Sequence, residues 1–128
     1  MSKQIITTPD APRFDLPLSQ AVRVDNLIFV SGQVGADPKT GRIVEGIEAQ
    51  VKRALENTKA ILASANASLE NVAKANVYLK DIRDFDKMNA EYRKYFPANF
   101  PARTTTQAVM AFPEILVEID TVAVLKPR

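Results

Sequence analysis

A chain of 128 residues with 46% hydrophobic and 25% charged side chains has the length and composition of one globular domain, residues 1–128. It contains no histidine and no cysteine, which removes the commonest general base, the thiol nucleophile, the usual zinc ligands and every disulfide. Seventeen basic against fifteen acidic residues leave a net charge of +2, with no basic run of the kind nucleic-acid binders concentrate, and no apolar run approaches the roughly 18–20 residues that span a bilayer.

The first nine residues lack the continuous apolar segment of a signal peptide, so the expectation is a soluble cytoplasmic protein. Residues 5–7 suit a short strand. Pro9, Pro12 and Pro17 then hold an irregular segment, because each fixes φ and removes a backbone donor. Residues 21–24 and 27–30 flank Asp25-Asn26, a connection suited to positive φ, and predict a β-hairpin. Ser31-Gly32-Gln33 follows, and Asp37-Pro38-Lys39-Thr40-Gly41 reads as a turn.

Over residues 45–65 the apolar period changes. Ile47, Val51, Leu55, Thr58 and Leu62 recur at intervals of three and four, while Glu48, Lys52, Glu56 and Lys59 take much of the other side, the mark of an amphipathic helix. After a turn at Ser68-Leu69-Glu70-Asn71, residues 72–80 alternate. Ala73, Ala75, Val77 and Leu79 are expected to face the core, with Lys74, Asn76, Tyr78 and Lys80 facing away. Asp84 fits the N-cap of a second helix running to Tyr95, with Phe85, Met88, Tyr92 and Tyr95 or Phe96 on its buried side, and Pro97 and Pro101 ending it. Strands over residues 103–110 and 115–125, joined by a turn at Phe112-Pro113-Glu114, complete an α+β order of β-β-β-α-β-α-β-β. Two helices cover one face of such a mixed sheet. The other face needs a partner, which favours an oligomer.

Chemistry must then run on Arg, carboxylates, hydroxyls, amides and backbone groups. Glu118 lies between Val117 and Ile119 in the most apolar strand. It is either a solvated or salt-bridged carboxylate on the sheet, or one lining a pocket where burial lifts its pKa toward acid/base use. Asp120, on the same face, reads as structural. Arg103 follows a rigid Pro101-Ala102 step. Its fork suits a carboxylate substrate, and equally a surface salt bridge, with Glu118 a candidate partner. Thr104, Thr105 and Thr106 are strand formers. Asn89 is a surface amide or a ligand contact, and Ser31-Gly32 is a turn or a pair of ligand donors. Lys52-Arg53 and Arg93-Lys94 read as solvated surface, with phosphate binding as the lesser alternative. A carboxylate-binding Arg and an acid/base Glu without a nucleophile fit water addition to a small, reactive anion.

Across nearly its whole length the chain resembles the YjgF/Rid family of reactive intermediate/imine deaminases. The resemblance rests on the runs from Asn26 to Gln33 and Asp37 to Gly41, and on Asn57-Thr58-Lys59-Ala60-Ile61-Leu62. It continues through Val77-Tyr78-Leu79-Lys80-Asp81, Asp84-Phe85 with Met88-Asn89, Tyr92, Phe100-Pro101-Ala102-Arg103, and the run from Val117 to Val124. It implies a chorismate-mutase-like fold, a homotrimer with three inter-subunit clefts, and hydrolysis of 2-imino or enamine acids such as those derived from 2-aminoacrylate (2-iminopropanoate, 2-iminobutanoate) to 2-oxo acids and ammonia. No cofactor, metal or membrane is expected, and nucleic acid is disfavoured as a partner. By position Arg103 matches the substrate-carboxylate anchor and Glu118 the water-positioning acid/base. Ser31, Gly32, Phe85 and Asn89 match pocket positions, with the Thr105 backbone helping to hold the carboxylate. Leu18 stands where many members have Tyr, and Thr105 where many have Cys. The first departure bears on substrate preference, and the second spares a backbone contact. Other activities that the resemblance brings are deamination of a larger enamine such as 2-aminomuconate, endoribonuclease action, and non-enzymatic metabolite binding.

Overall fold

The computed structural model describes residues 2–126. Six strands form one mixed sheet: β1 (Gln4–Ile6), β2 (Ala21–Val24), β3 (Leu27–Val34), β4 (Val72–Leu79), β5 (Ala102–Gln107) and β6 (Val117–Val124). Two helices, α1 (Ile47–Ser64) and α2 (Phe85–Tyr95), pack on it. The spatial order is β1-β2-β3-β6-β4-β5, with β4–β5 parallel and the other pairs antiparallel. The last strand therefore sits in the middle of the sheet. Among the described residues, no helix is long and apolar enough to cross a membrane.

The core lies between the sheet and the helices. Ile28 and Val30 from β3, Ala75, Val77 and Leu79 from β4, and Val117, Ile119 and Ala123 from β6 are buried against Val51, Leu55, Ile61 and Leu62 of α1 and Met88 and Tyr92 of α2. Burying each of the larger of these side chains contributes about 1.5–3 kcal/mol. The helical spacing read from residues 45–65 thus marks the buried stripe correctly. Buried amides tie down what the ladder cannot: Gln50 donates to the Val44 and Glu114 carbonyls and accepts from the Leu116 N–H, all at 2.8–2.9 Å. The hairpin forms as expected, with Asp25 at φ 53°.

Several expectations are corrected. Ala73 is exposed, because a register shift between Val72 and Lys74 turns Val72 toward the core in its place. Asp84 makes no side-chain cap. It ends a 3-10 turn (Ile82–Asp84) whose own N-cap, Asp81, accepts from the Arg83 N–H at 2.9 Å. Phe85 is exposed: it shares the face of Met88 and Tyr92 but sits in the first position of α2, at the end of the buried stripe. β5 stops at Gln107 rather than residue 110: its neighbour β4 ends at Leu79, and among the described residues no strand pairs with the chain beyond Gln107. β6 begins at Val117, not residue 115. Ser31-Gly32 is no turn but a bulge inside β3, which runs on to Val34.

Candidate active site

Glu118, the second residue of the central strand β6, lies on the face that the helices do not cover. Its neighbours Val117 and Ile119 are fully buried on the helix side, so alternation sends the carboxylate to the open side. There it lies against the β3 bulge. A side chain at Gly32 would put its Cβ 2.2 Å from Glu118 Oε2, so only glycine leaves room for the acid. Burial first, and then the charge of Asp120, push the Glu118 carboxyl above its ordinary range. Asp120 is itself occupied, accepting from Asn76 Nδ2 at 2.8 Å.

The bulge also fastens a strap. Ser31 Oγ donates to the Ser19 carbonyl at 2.6 Å, and the Ser31 N–H donates to the Gln20 carbonyl at 2.9 Å. The Ser31 hydroxyl is thus spent on the chain that carries Leu18. That leucine is 53% exposed in the protomer. The strap has no ladder of its own; buried Gln20 organises it. Gln20 Nε2 donates to the Thr8, Ala11 and Pro12 carbonyls at 3.0–3.2 Å, and Oε1 accepts from the Thr8 N–H at 2.7 Å. Nothing in the sequence distinguishes Gln20 from any other strand-edge amide, and its role is legible only in the fold.

Arg103 belongs to a separate group. It pairs with buried Ala75, so its side chain leaves edge strand β5 on the helix side. Its guanidinium lies 4.8 Å from the Tyr92 ring centroid and 5.8 Å from that of Phe85, with Nη1 3.9 Å from Met88 Sδ. These contacts hold the faces of the cation while leaving N–H groups of its fork available. Asn89, Tyr92, Arg93, Phe100, Pro101 and Arg103 line a recess of about 230 Å³. Burial raises the Tyr92 phenol, and Arg103 partly opposes the shift. Thr105, two residues on and on the same face, buries a hydroxyl that has no hydrogen-bond partner. Helical period places Tyr92 on the buried side of α2; that it also seats Arg103 is not legible from period alone.

Two clusters result, on opposite faces of one sheet. Glu118, Ser31, Gly32 and the Leu18 strap form one; Arg103, Asn89 and Phe85, with Thr105, form the other. Among the described residues the ion pairs are Arg83–Asp81 and Lys94–Glu91. Within one protomer Arg103 and Glu118 therefore do not pair. A larger recess, about 1000 Å³, lies where the β2–β3 turn meets the C-terminal ends of both helices and includes none of these residues.

A family model described as Endoribonuclease L-PSP matches residues 8–125. The chain belongs to the YjgF/Rid family. It is 48% identical over 124 residues to a RutC family protein of Pyrococcus abyssi, covering 96% of this chain and 98% of that one. It is 43% identical over 127 residues to the human 2-iminobutanoate/2-iminopropanoate deaminase, covering 98% of this chain and 92% of that protein. Among solved structures, Escherichia coli TdcF with bound serine superposes with a TM-score of 0.91 at 32% identity, over 96% of this chain and 99% of that one. In this YjgF/Rid chain a guanidinium that has no ion-pair partner among the described residues and a half-buried carboxyl with a raised pKa are both built, each supported by its own packing.

Proposed function

We propose that the protein is an imine/enamine deaminase. It hydrolyses 2-imino acids such as 2-iminopropanoate and 2-iminobutanoate, and the enamines that tautomerise to them, to 2-oxo acids and ammonia. The observation that carries this reading is the pair of half-sites on opposite sheet faces. Neither can act on a small molecule alone, and the two become complementary when the Arg103 edge of one protomer meets the Glu118 face of another. The human relative, similar over nearly the full length, is named for this reaction.

The assembly is a homotrimer with the sites between subunits. The open sheet face supports association: Phe29 is 44% and Val124 36% exposed there, beside partly buried Val22 and Val122. Covering such a face removes apolar area from water. A mass in solution of about three times 14.1 kDa is the expected result.

In the cleft, Arg103 takes the substrate carboxylate through a bidentate pair, aided by the outer backbone groups of edge strand β5 near Thr105. Glu118, its pKa lifted by burial, accepts a proton as water adds to C2 of the protonated imine. It returns that proton to the nitrogen; as the C2–N bond breaks and the C2–O bond becomes a carbonyl, the hydroxyl proton passes through Glu118 to the departing ammonia. Iminium and water thus become 2-oxo acid and ammonium, with no covalent intermediate. Asn89 and Phe85 line the Arg103 side, and Leu18 walls the Glu118 side. Endoribonuclease action is less well supported, since the Lys and Arg residues are dispersed and there is no histidine to serve as acid or base.

The test is release of 2-oxo acid from 2-aminoacrylate generated by a dehydratase. Wild-type protein should accelerate it. Arg103→Ala, folded and with unchanged oligomeric mass, should lower kcat/KM by about 10²–10⁴-fold, the loss of two hydrogen bonds to charge. An unaltered rate would remove Arg103 from the reaction.

A further inference from the structure

The anchor recess contains a second guanidinium. Arg93 lies one helical turn beyond Asn89 on α2 and lines the same volume of about 230 Å³ as Arg103. Its guanidinium sits 5.7 Å from the Phe100 centroid, as that of Arg103 sits on Tyr92. Each cation is steadied against an aromatic face, and N–H groups of each fork remain free.

Among the described residues, no carboxylate lines the recess. The neighbouring Lys94 is paired with Glu91 at 2.7 Å, whereas among the described residues neither Arg93 nor Arg103 has an ion-pair partner. Two cations sharing one recess without an acid repel each other, and an anionic ligand between them removes that cost. The volume is below the 300–1,000 Å³ typical of drug-sized ligands and suits a small acid.

A monocarboxylate on Arg103 leaves Arg93 unused. We propose that the site favours 2-imino dicarboxylates, with Arg103 holding the C1 carboxylate and Arg93 the distal one, so that Arg93 is a specificity-determining residue. This rests on the deaminase reading above. Such substrates arise when the amine of an acidic amino acid is oxidised, so the reaction class that supplies them is amino-acid oxidation. Hydrolysis proceeds as for the monocarboxylate, with one water consumed and one ammonium released.

Arg93 is exposed, so its substitution leaves the core intact. The test uses the full chain and imines formed in situ by amino-acid oxidases from glutamate (two carboxylates) and from alanine (one), with semicarbazide competing for the imine. In wild-type protein the dicarboxylate should have the higher kcat/KM. In Arg93→Ala the dicarboxylate-to-monocarboxylate ratio of kcat/KM should fall about tenfold or more, and Arg93→Lys should recover part of it. Added salt should weaken dicarboxylate turnover more steeply than monocarboxylate turnover.

An unchanged ratio in Arg93→Ala, an equal loss on both substrates, or a wild-type protein that prefers the monocarboxylate would overturn the proposal while leaving the deaminase reading intact. Failure of Arg103→Ala to affect either substrate would instead remove the reading beneath it.

Discussion

Replacing Gly32 with alanine isolates the position of the Glu118 carboxylate from everything else in the fold. The added Cβ would lie 2.2 Å from Oε2, 2.8 Å from Cδ and 3.0 Å from Cγ of Glu118. Ordinary contact begins near 3.4 Å, so the oxygen must retreat by about 1.2 Å. The backbone does not object, because Gly32 is outside the left-handed region, where only Gly41 and Gly46 among the described glycines lie. Displacing a reacting group by about 1 Å costs roughly 10²-fold in rate. Gly32→Ala should therefore lower kcat on 2-iminopropanoate by about 10²-fold. KM should change little, since the carboxylate anchor is on the opposite sheet face. The assay is semicarbazide competition for enzymatically generated imine, with Tm from thermal denaturation as the control. Shortening the acid in Gly32→Ala/Glu118→Asp removes the overlap, so any Tm lost to the single variant should return while kcat does not. A folded Gly32→Ala protein with wild-type kcat would refute the assignment of Glu118.

Glu118→Gln should raise Tm at neutral pH. The native fold holds this carboxyl's pKa above the unfolded value of about 4.5, so its contribution to stability is present below that pH and lost as pH rises through the folded pKa. The Tm advantage of Glu118→Gln should accordingly grow from acid to neutral pH; a constant difference would contradict it. Gln20→Leu strips the strap of its four hydrogen bonds and should destabilise by about 2–4 kcal/mol in denaturant titration, raising KM as the Leu18 wall loosens. A loss below about 0.5 kcal/mol would show that the strap is held by something else. Leu18→Tyr adds a hydroxyl beside the Ser31 bulge. One hydrogen bond is worth about 0.5–1.5 kcal/mol, so turnover of the smallest imines should rise about 2–10-fold, and a drop would mean the site is adapted to the apolar wall.

What was legible in the chain is what depends on local period and local chemistry. The α1 stripe through Val51, Leu55 and Leu62, the Asp25 hairpin and the Ala75-Val77-Leu79 face all follow from side-chain spacing, and they form as read. What was not legible depends on pairing between distant segments. The position of β6 between β3 and β4 is a matter of which strands meet, and the β5 boundary at Gln107 follows from where β4 ends. The bulge at Ser31-Gly32 appears only once β3 is laid against β6. Arg103 and Glu118 stood out in the sequence as chemical types. Their opposite orientations come from register, which alternation within either strand alone cannot relate.

The central claim is that Arg103 of one protomer serves Glu118 of another, and mixing two inactive variants tests it most directly. Arg103→Ala and Glu118→Ala protomers, each inactive alone, are unfolded together in equal amounts and refolded. Every mixed trimer then contains one cleft with both native groups, so the mixture should recover about one quarter of wild-type activity. Recovery of none, with mixed trimers demonstrated by mass, would place both residues in the same protomer's site and contradict the account.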